Sequence, residues 1–369
     1  MRALGLMSGT SMDGIDAALL ETDGATQTMP LAARSIAYDD ATRAAIRTAM
    51  ADPHDAATVA AVAAMLTDRH GEAVAGLLAM AGLAPADVDV IGFHGQTILH
   101  DPARGVTCQI GDGARLARAT GCRVVNDFRS ADMAAGGEGA PFAPVFHAAL
   151  AHGLALTKAG PLCMLNIGGV ANVTWIGGTG GLDGGGIFDR LLAFDTGPGG
   201  ALLDDWVNDR TGAAYDADGA LAAAGVVDAA ALAQLLDHPY FARPAPKSLD
   251  RNDFDPAPVS GLSVADGAAT LLAFTVESIA LARDRLPAAP RRWLVTGGGR
   301  HNGALMAALA ARLGAPVEAV EAVGWDGDAL EAQAFAYLAV RRLRGLPASG
   351  PTTTGAGAPV VGGVICEPA

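Results

Sequence analysis

Residues 5–19, GLMSGTSMDGIDAAL, place glycine, serine and threonine together between two apolar stretches. A turn of this composition exposes backbone N–H groups that no side chain covers, and a concave row of such amides binds anions. The hydroxyl groups of Ser8, Thr10 and Ser11 add donors, and Asp13 could hold Mg²⁺, the usual companion of nucleotide phosphates, through water. A tight hairpin with capping Asp and Ser side chains explains the same residues equally well.

Two further glycine turns follow apolar stretches that are typical of strands. Gly168 and Gly169 could hold phosphates, or they could form a bulge between two strands. Gly297–Gly299 could let a flat ring or a ribose lie against bare backbone, or they could serve only a strand-to-helix turn. Neither the Walker loop nor the dinucleotide fingerprint is matched. Three such turns in one chain favour a phosphate-bearing ligand.

Asp195 lies in FDTGPGG, at the end of an apolar stretch. Burial there disfavours the charged carboxylate, whereas neighbouring amides favour it. Such a carboxylate can act as a general base if the substrate places a hydroxyl or a water within hydrogen-bond reach. The alternative is an N-cap for the helix predicted at Leu202–Asp209, and the local sequence alone slightly favours that cap.

Polar residues are dense beside glycines in HGQTILH (94–100) and NDFRSADMAAGGEGAP (126–141). The planar guanidinium of Arg129 suits a carboxylate, which it can bind bidentately. The alternatives are a buried core histidine at His94 and an internal ion pair between Asp127 and Arg129. Four side chains could hydrogen-bond a sugar: Gln96, Asp127, Arg129 and Asp132.

The elements that must position these residues alternate as strands and helices, which indicates an α/β protein. A strand–turn–strand pattern opens the chain and returns near Pro161, about 160 residues later, so two repeated halves are predicted. Apolar spacing predicts helices at 56–82 and, as one amphipathic helix, at 262–286. The proline-rich segment 238–260 reads as a long loop. Two halves of this kind suggest a bilobed fold with the ligand between the lobes.

Composition limits the classes of function. The net charge of −14 and the pI near 4.9 argue against a sequence-independent grip on nucleic acid. Four cysteines stand far apart, as reduced thiols of a cytosolic protein do. His94 and His100 have no cysteine or third histidine at metal-binding spacing, so a structural zinc site is not predicted. No signal peptide or membrane helix is predicted either.

Taken together, the motifs resemble those of the anhydro-N-acetylmuramic acid kinases of bacterial cell-wall recycling. SGTSMDG and DFRxxDxAAGGxGAP are the specific ones, and the match runs nearly from end to end. The matching strings are GLMSGTSMDGID (5–16), HGQTILH (94–100), QIGD (109–112), DFRSADMAAGGEGAP (127–141), NIGGVANVT (166–174), FDTGPGG (194–200), TGGGRHN (296–302) and EAQAFAYLAVR (331–341).

The resemblance implies a bilobed actin-like (ribonuclease H-like) ATPase fold with nucleotide and sugar in the interlobe cleft. Residues 1–128 with 345–369 would form the first lobe, and 129–344 the second. It also implies a cytoplasmic homodimer that uses ATP and Mg²⁺. Water would open the 1,6-anhydro bridge of 1,6-anhydro-N-acetylmuramic acid, and the freed O6 would take the γ-phosphate, giving N-acetylmuramic acid 6-phosphate and ADP.

Residue roles carried over by the resemblance centre on Asp195, the general base that would activate water. Arg129 is a candidate partner for the lactyl carboxylate, and Asp13 for the metal. The implied ATP-binding residues are Gly9, Thr10, Ser11, Met12, Asp13, Gly14, Ile15, Asp16, Gly168, Gly169, Gly297, Gly298 and Gly299, and the implied sugar-binding residues are Gln96, Asp127, Arg129 and Glu331.

Three positions depart from the family pattern. Gly200 ends a string that usually reads DTGPGN, Glu138 replaces the glutamine of GGQGAP, and PKSLDRND (246–253) replaces PKSTGRE. These changes leave the base in place and put in doubt contacts from the 238–260 loop. Two other hypotheses stay open at this point: a sugar kinase acting on a free hydroxyl, and a non-enzymatic nucleotide switch.

Overall fold

The computed structural model describes residues 1–9, 12–250 and 253–368. Its contacts divide the chain into two compact units, each with its own sheet and hydrophobic core. The first unit comprises Met1–Ala155, Thr179–Asp189 and Ala329–Ala369, and the second comprises Leu156–Gly178 and Arg190–Asp328.

A seven-stranded sheet forms the centre of the first unit. Numbered along the whole chain, its strands are β1 (Arg2–Ser8), β2 (Gly14–Thr22), β3 (Thr28–Ala37), β4 (Val90–Asp101), β5 (Val106–Ile110), β6 (Val124–Asn126) and β12 (Val364–Cys366). The order is β3-β2-β1-β4-β6-β12, with β5 paired to β4. Neighbours among β1, β2 and β3 are antiparallel, whereas β4 runs parallel to β1 and β6 parallel to β4.

Helices of the first unit begin and end at recognisable caps. α2 starts where the Asp55 carboxylate accepts hydrogen bonds from two backbone N–H groups, and it ends at Gly82, whose φ of 66° suits a glycine. The helices are α1 (Asp40–Ala51), α2 (Ala56–Ala81), α3 (Gly113–Thr120), α4 (Ser130–Ala134), α5 (Pro144–Gly153) and α11 (Leu330–Leu343). The last of these, α11, packs against β1, β2 and β4.

The sheet of the second unit repeats the arrangement of the first. Its strands are β7 (Leu162–Ile167), β8 (Val170–Ile176), β9 (Leu191–Pro198), β10 (Trp293–Thr296) and β11 (Val317–Ala319). The order is β9-β8-β7-β10-β11, again three antiparallel strands followed by two parallel ones. This repeated order is the ribonuclease H-like one, so the predicted α/β fold with two related halves is confirmed.

Helices of the second unit surround α9. They are α6 (Ala201–Thr211), α7 (Ala220–Ala224), α8 (Ala229–Leu236), α9 (Val264–Ala282) and α10 (Gly303–Leu313). Although the apolar spacing predicts an amphipathic helix here, 13 of the 19 residues of α9 are buried, because α6, α7, α8, α10 and β9 all pack against it. Among the described residues, α9 is the one unbroken helix long and apolar enough to cross a bilayer, and its burial in the core accounts for that composition.

The compact units do not coincide with the predicted lobes. Residues 129–155 and 329–344 lie in the first unit, because α11 packs on the first sheet and α5 packs against α11. The segment 179–189 also belongs to the first unit. The division by contacts does not test the lobes themselves, so the boundaries at 128/129 and 344/345 stay a prediction.

Two glycines let α11 lie directly on the first sheet. A Cβ added to Gly5 would stand 1.8 Å from the carbonyl oxygen of Ala332, and a Cβ added to Gly92 would stand 2.0 Å from that of Phe335. Both distances are far below van der Waals contact, so any side chain at these positions would force the helix away from the strands.

We expect Gly5→Ala to lower the free energy of unfolding by about 1–3 kcal/mol, the usual cost of overfilling a packed core. Urea unfolding followed by circular dichroism measures the change. Gly71→Ala is the matched control, since Gly71 lies inside α2 and its added Cβ would meet only a leucine methyl at 3.9 Å. The control should be neutral or slightly stabilised, and equal stabilities of the two variants would contradict the close packing.

Candidate active site

The first glycine turn joins β1 to β2 in the first unit. Met12 lies in the left-handed region, with φ of 59°, and its N–H donates to the carbonyl oxygen of Gly9 at 3.1 Å. Asp13 is exposed. Thr10 and Ser11 lie outside the described residues. The described part is thus a tight turn that presents the Asp13 carboxylate to solvent.

The remaining hairpin residues also serve the sheet. Ile15 is buried in the core, so only its backbone can reach a ligand. A Cβ on Gly14 would lie 2.2 Å from the carbonyl oxygen of Ile36, so the pairing of β2 with β3 itself requires this glycine. Asp16 accepts a hydrogen bond from the hydroxyl of Ser35. The structure therefore gives Gly14 and Ile15 a packing role and Asp16 a hydrogen bond between β2 and β3, whatever they do for a nucleotide.

Strand β4 contacts the turn from the other side. The Gln96 amide donates from Nε2 to the carbonyl oxygen of Gly9 at 3.0 Å, while its Oε1 is buried and has no partner in the described part of the chain. An orphaned acceptor of this kind is costly unless a ligand satisfies it. Ser8, expected to offer a hydroxyl to an anion, instead donates to the carbonyl oxygen of Gly95 at 3.0 Å.

Arg129 is held by a neutral histidine. The Nδ1 atom of His94 lies 2.8 Å from the carbonyl oxygen of Gly95 and so carries the proton, which leaves Nε2 to accept from the Arg129 Nη2 at 2.9 Å. Burial lowers the pKa of His94 to about 3, and the charge of Arg129 acts in the same direction. The buried-histidine interpretation is confirmed, and Arg129 contacts His94 rather than forming the ion pair considered with Asp127.

The Arg129 guanidinium retains capacity for an anion. Burial lowers its pKa to about 10, and the nearby charge of Glu331 raises it. Its Nε is buried and has no partner among the residues that the structure describes. Glu331 is exposed in the first turn of α11, so the first unit brings these two predicted sugar-side residues together.

A polar cavity of about 260 Å³ lies beside Asp127, which adopts a φ of 50°. The carboxylate accepts hydrogen bonds from the hydroxyl of Ser130 at 2.6 Å and from its N–H at 3.2 Å. Strand β5 also lines the cavity, and sequence reasoning named none of its residues as a site residue, although Gln109 begins the matching string QIGD. The polar lining residues are His94, Thr107, Gln109, Asn126, Asp127 and Ser130.

The Asp132 carboxylate is not available to bind a sugar. It is fully buried, and its carboxylate accepts from the N–H of Gly139 at 2.8 Å, from Thr354 Oγ1 at 2.6 Å and from the hydroxyl of Ser349. These bonds tie the glycine-rich loop after α4 to the threonine-rich loop after α11. Asp132 is therefore structural, and the segment 350–363 has a partner that its sequence did not indicate.

The second glycine turn joins β7 to β8 in the second unit and contacts the start of α6. Gly199 donates from its N–H to the carbonyl oxygen of Gly169 at 2.9 Å, and Gly200 donates to that of Gly168 at 2.7 Å. A Cβ on Gly199 would lie 2.1 Å from the same Gly168 oxygen. Gly200, the departure from the family pattern, is the N-cap of α6.

The third turn lies against the second. A Cβ on Gly297 would stand 2.3 Å from Oδ1 of Asn166, and one on Gly299 would meet Ile167, both at the end of β7. At Gly298 nothing lies within 4 Å of the same position, so its backbone is bare. The second unit thus brings two predicted nucleotide-binding turns to one edge of its sheet and leaves room for a ligand to approach the backbone.

Arg300 holds this third turn in shape. Its side chain is only 3% exposed and pairs with Glu321 at 2.9 Å and with Asp328 at 2.8 Å. A third hydrogen bond, of 3.0 Å, runs from Nη1 to the carbonyl oxygen of Gly297. The planar fork of an arginine is suited to three such directions at once.

Asp195 lies within β9, so the helix-cap interpretation is wrong. β9 carries a bulge beside it, because Asp195 pairs with Asn172 while Gly197 pairs with Ala171. Bulges next to active sites redirect a side chain. Leu249 donates its N–H to Oδ2 of Asp195 at 2.9 Å, a bond that favours the charged carboxylate.

The loop that follows α8 contacts Asp195 through residues that sequence reasoning missed. The N–H of Asp195 donates to the carbonyl oxygen of Lys247 at 2.9 Å, and the hydroxyl of Tyr240 donates to the carbonyl oxygen of Asp195 at 2.5 Å. The available signal was Lys247, a lysine amid prolines in a chain that has only two lysines.

Comparison with known proteins identifies the family. Residues 1–368 match the anhydro-N-acetylmuramic acid kinase family. The protein of that name from Rhodospirillum rubrum is 59% identical over 98% of this chain and 93% of its own length. That from Acidiphilium cryptum is 58% identical over 100% of this chain and 99% of its own.

The chain belongs to the anhydro-N-acetylmuramic acid kinase family.

It is therefore a kinase, a phosphotransferase, and the family resemblance drawn from the motifs is confirmed. A ROK family glucokinase from Streptomyces griseus matches with 16% identity over 92% of this chain and 99% of that chain, at a TM-score of 0.43. The fold assignment for this kinase accordingly rests on the strand order of its two sheets.

We expect Arg300→Lys in this kinase to raise the KM for ATP about tenfold, because a lysine cannot make the three bonds that shape the Gly297–Gly299 turn. A coupled ADP assay measures KM and kcat. Arg292→Lys is the matched control, since within the described part of the chain Arg292 has one ion-pair partner, Glu318, at 2.6 Å. An unchanged KM in Arg300→Lys would contradict a nucleotide-binding role for the turn.

Proposed function

We propose that this kinase opens 1,6-anhydro-N-acetylmuramic acid with water and phosphorylates it at O6, using ATP. The oxygen of water bonds to the anomeric carbon as the C1–O6 bond breaks. O6 then takes the γ-phosphoryl group, and ADP leaves. The supporting observation is the 59% identity, over nearly the whole chain, to a relative whose name states this sugar.

Asp195 is the general base that receives the proton from the attacking water. Its backbone is bound to the 239–250 loop on one side and to β8 on the other, and the Leu249 N–H holds one carboxylate oxygen. A base fixed in this way needs no reorganisation when the substrate arrives. Coupling water attack to phosphoryl capture at O6 avoids the release of an isolated alkoxide.

The three glycine turns bind the phosphates of ATP. The residues concerned are Gly9–Asp16 in the first unit, and Gly168, Gly169 and Gly297–Gly299 in the second.

Mg²⁺ binds with the nucleotide, and when bound it neutralises phosphate charge. Asp13, an exposed carboxylate at the turn, fits a role through water. Among the described residues no cluster of three or more His, Cys, Asp or Glu could hold a metal, which suits an ion that keeps water and phosphate oxygens as ligands.

The first unit binds the sugar. Asp127 and the cavity beside it offer hydrogen-bond partners for hydroxyl and amide groups, Gln96 adds an unsatisfied acceptor, and Glu331 lies close to Arg129. Arg129, with an orphaned Nε, binds the lactyl carboxylate. Its neutral partner His94 leaves the guanidinium charge uncompensated on that side, which favours an anionic substituent.

The biological setting is peptidoglycan recycling by a cytoplasmic homodimer that acts on a small-molecule sugar, with no nucleic-acid or membrane partner. The acidic composition and four free cysteines support such a location. Sedimentation velocity tests the dimer directly.

Isotope labelling tests the reaction itself. In H₂¹⁸O we expect label at the anomeric hydroxyl of the product and none in its phosphate, because water attacks carbon and not phosphorus. Mass spectrometry of the product before and after phosphatase treatment locates the label. Free N-acetylmuramic acid serves as the control substrate, and equal turnover of it would indicate an ordinary kinase acting on a free hydroxyl.

Asp195→Asn tests the base. We expect kcat to fall about 10²–10⁴-fold, the usual contribution of a general base, while ATP binding is retained. A coupled ADP assay gives kcat, and calorimetric titration gives ATP affinity. Asp209→Asn, at an exposed acid on α6 of the same unit, is the control. Turnover of Asp195→Asn near that of the unaltered protein would remove Asp195 from this role.

A further inference from the structure

The chain has only two lysines, and their surroundings differ sharply. Lys158 is exposed, whereas Lys247 is 5% exposed in the second unit. A buried ammonium group is costly to the fold unless it is bonded and paired. Apart from Lys158, the cationic side chains of this chain are arginines, yet a lysine lies at a buried position where a neutral residue would destabilise the fold less.

Lys247 completes a closed chain of hydrogen bonds with Tyr240 and Asp195. Its Nζ donates to the carbonyl oxygen of Tyr240 at 2.9 Å. The Tyr240 hydroxyl donates to the carbonyl oxygen of Asp195. The N–H of Asp195 donates back to the carbonyl oxygen of Lys247 at 2.9 Å. Each residue thus gives one bond and receives one, so the three are held as a unit.

This unit lies at the exposed edge of the sheet. β9 is an edge strand, and at Asp195 its outward N–H and carbonyl groups pair with the loop instead of with another strand. Two residues after Lys247, the Leu249 N–H reaches Oδ2 of Asp195. The same loop therefore fixes both the backbone of Asp195 and one of its carboxylate oxygens.

The charge of Lys247 is set by named neighbours. Its Nζ lies 4.1 Å from the centroid of the Tyr240 ring. Burial lowers its pKa to about 8, Arg285 and Arg243 act in the same direction, and Asp195 raises it. Because the pKa in the folded state is below 10.5, the buried ammonium destabilises the fold at lower pH, and that penalty is lost as pH rises from about 8 to 10.5.

We infer that Lys247 is a positioning residue for Asp195. It anchors the 239–250 loop against β9 and places a positive charge near the Asp195 carboxylate. The inference rests on the proposed role of Asp195 as general base. Lys247 itself touches neither water nor sugar in this scheme. It acts through Tyr240 and through the field that it exerts on the carboxylate.

Lysine NMR tests the coupling without any assay of activity. In protein labelled with ¹³C-lysine only two side-chain signals are present, and Lys158→Met assigns them. Lys247 should titrate with a midpoint of about pH 8. Asp195→Asn should lower that midpoint, because the carboxylate that favours the charged ammonium has been removed. A midpoint that Asp195→Asn leaves unchanged overturns the inference, even if the kinase reaction proceeds as proposed.

The pH profile tests the consequence for catalysis. Lys247→Met keeps the length of the side chain and removes the donor and the charge. We expect kcat to fall about 10- to 100-fold with little change in the KM for ATP. The acidic limb of the kcat profile should move about one pH unit higher, because the carboxylate has lost a neighbouring cation.

Lys158→Met, at the exposed lysine, should match the unaltered protein in all of these measurements. A Lys247→Met variant that folds by circular dichroism and keeps both kcat and the acidic limb would overturn the inference. Should that variant fail to fold, the NMR titration of intact protein decides. If the isotope experiment fails while Asp195→Asn still lowers the NMR midpoint of Lys247, the proposed reaction is rejected and the coupling between Lys247 and Asp195 stands.

Discussion

The candidate site depends on close packing at backbone positions that carry no side chain, one inside β1 and two directly after strands β9 and β10. At Gly5, Gly199 and Gly297 an added Cβ would lie 1.8 to 2.3 Å from a neighbouring oxygen. Removing the side chain lets helix meet strand and turn meet turn at contact distance. Beside Gly297 the backbone of Gly298 stays bare, so the packing that forms this turn also leaves a surface suited to phosphate. Close packing and ligand binding both require glycine at these positions.

Around these turns the structure buries charged side chains against specific partners. Arg129 is bonded to a neutral His94, Asp132 accepts three hydrogen bonds, and Arg300 divides its fork between two carboxylates and a carbonyl oxygen. Burial makes every unpaired charge costly, so each such group can adopt few alternatives. Rigid polar networks of this kind hold loops to the accuracy that phosphoryl transfer requires.

The edge of the second sheet shows how one position can be both structural and chemical. An edge strand exposes unpaired N–H and carbonyl groups, which proteins normally cover. Here the cover is the loop that carries Tyr240, Lys247 and Leu249, and the covered residue is Asp195. Part of this loop departs from the family pattern, and Leu249 is the first altered residue, but it contacts Asp195 through its backbone N–H, which any residue except proline supplies. The arrangement of the proposed base therefore survives the change.

By itself the sequence determined the strand–turn–strand repeats, the main helices, the three glycine turns and, through eight ordered strings, the family. These are local or nearly contiguous patterns, which a chain displays along its length. Only the tertiary structure decided that Asp195 belongs to a strand and not to a helix cap, and that α9 is enclosed on nearly all sides. It also decided that the buried Asp132 links two loops by hydrogen bonds. Each of these depends on residues far away in sequence, because burial and hydrogen-bond partners come from packing. Lys247 is the clearest case, since only the fold brings its side chain and that of Tyr240 to the edge of β9.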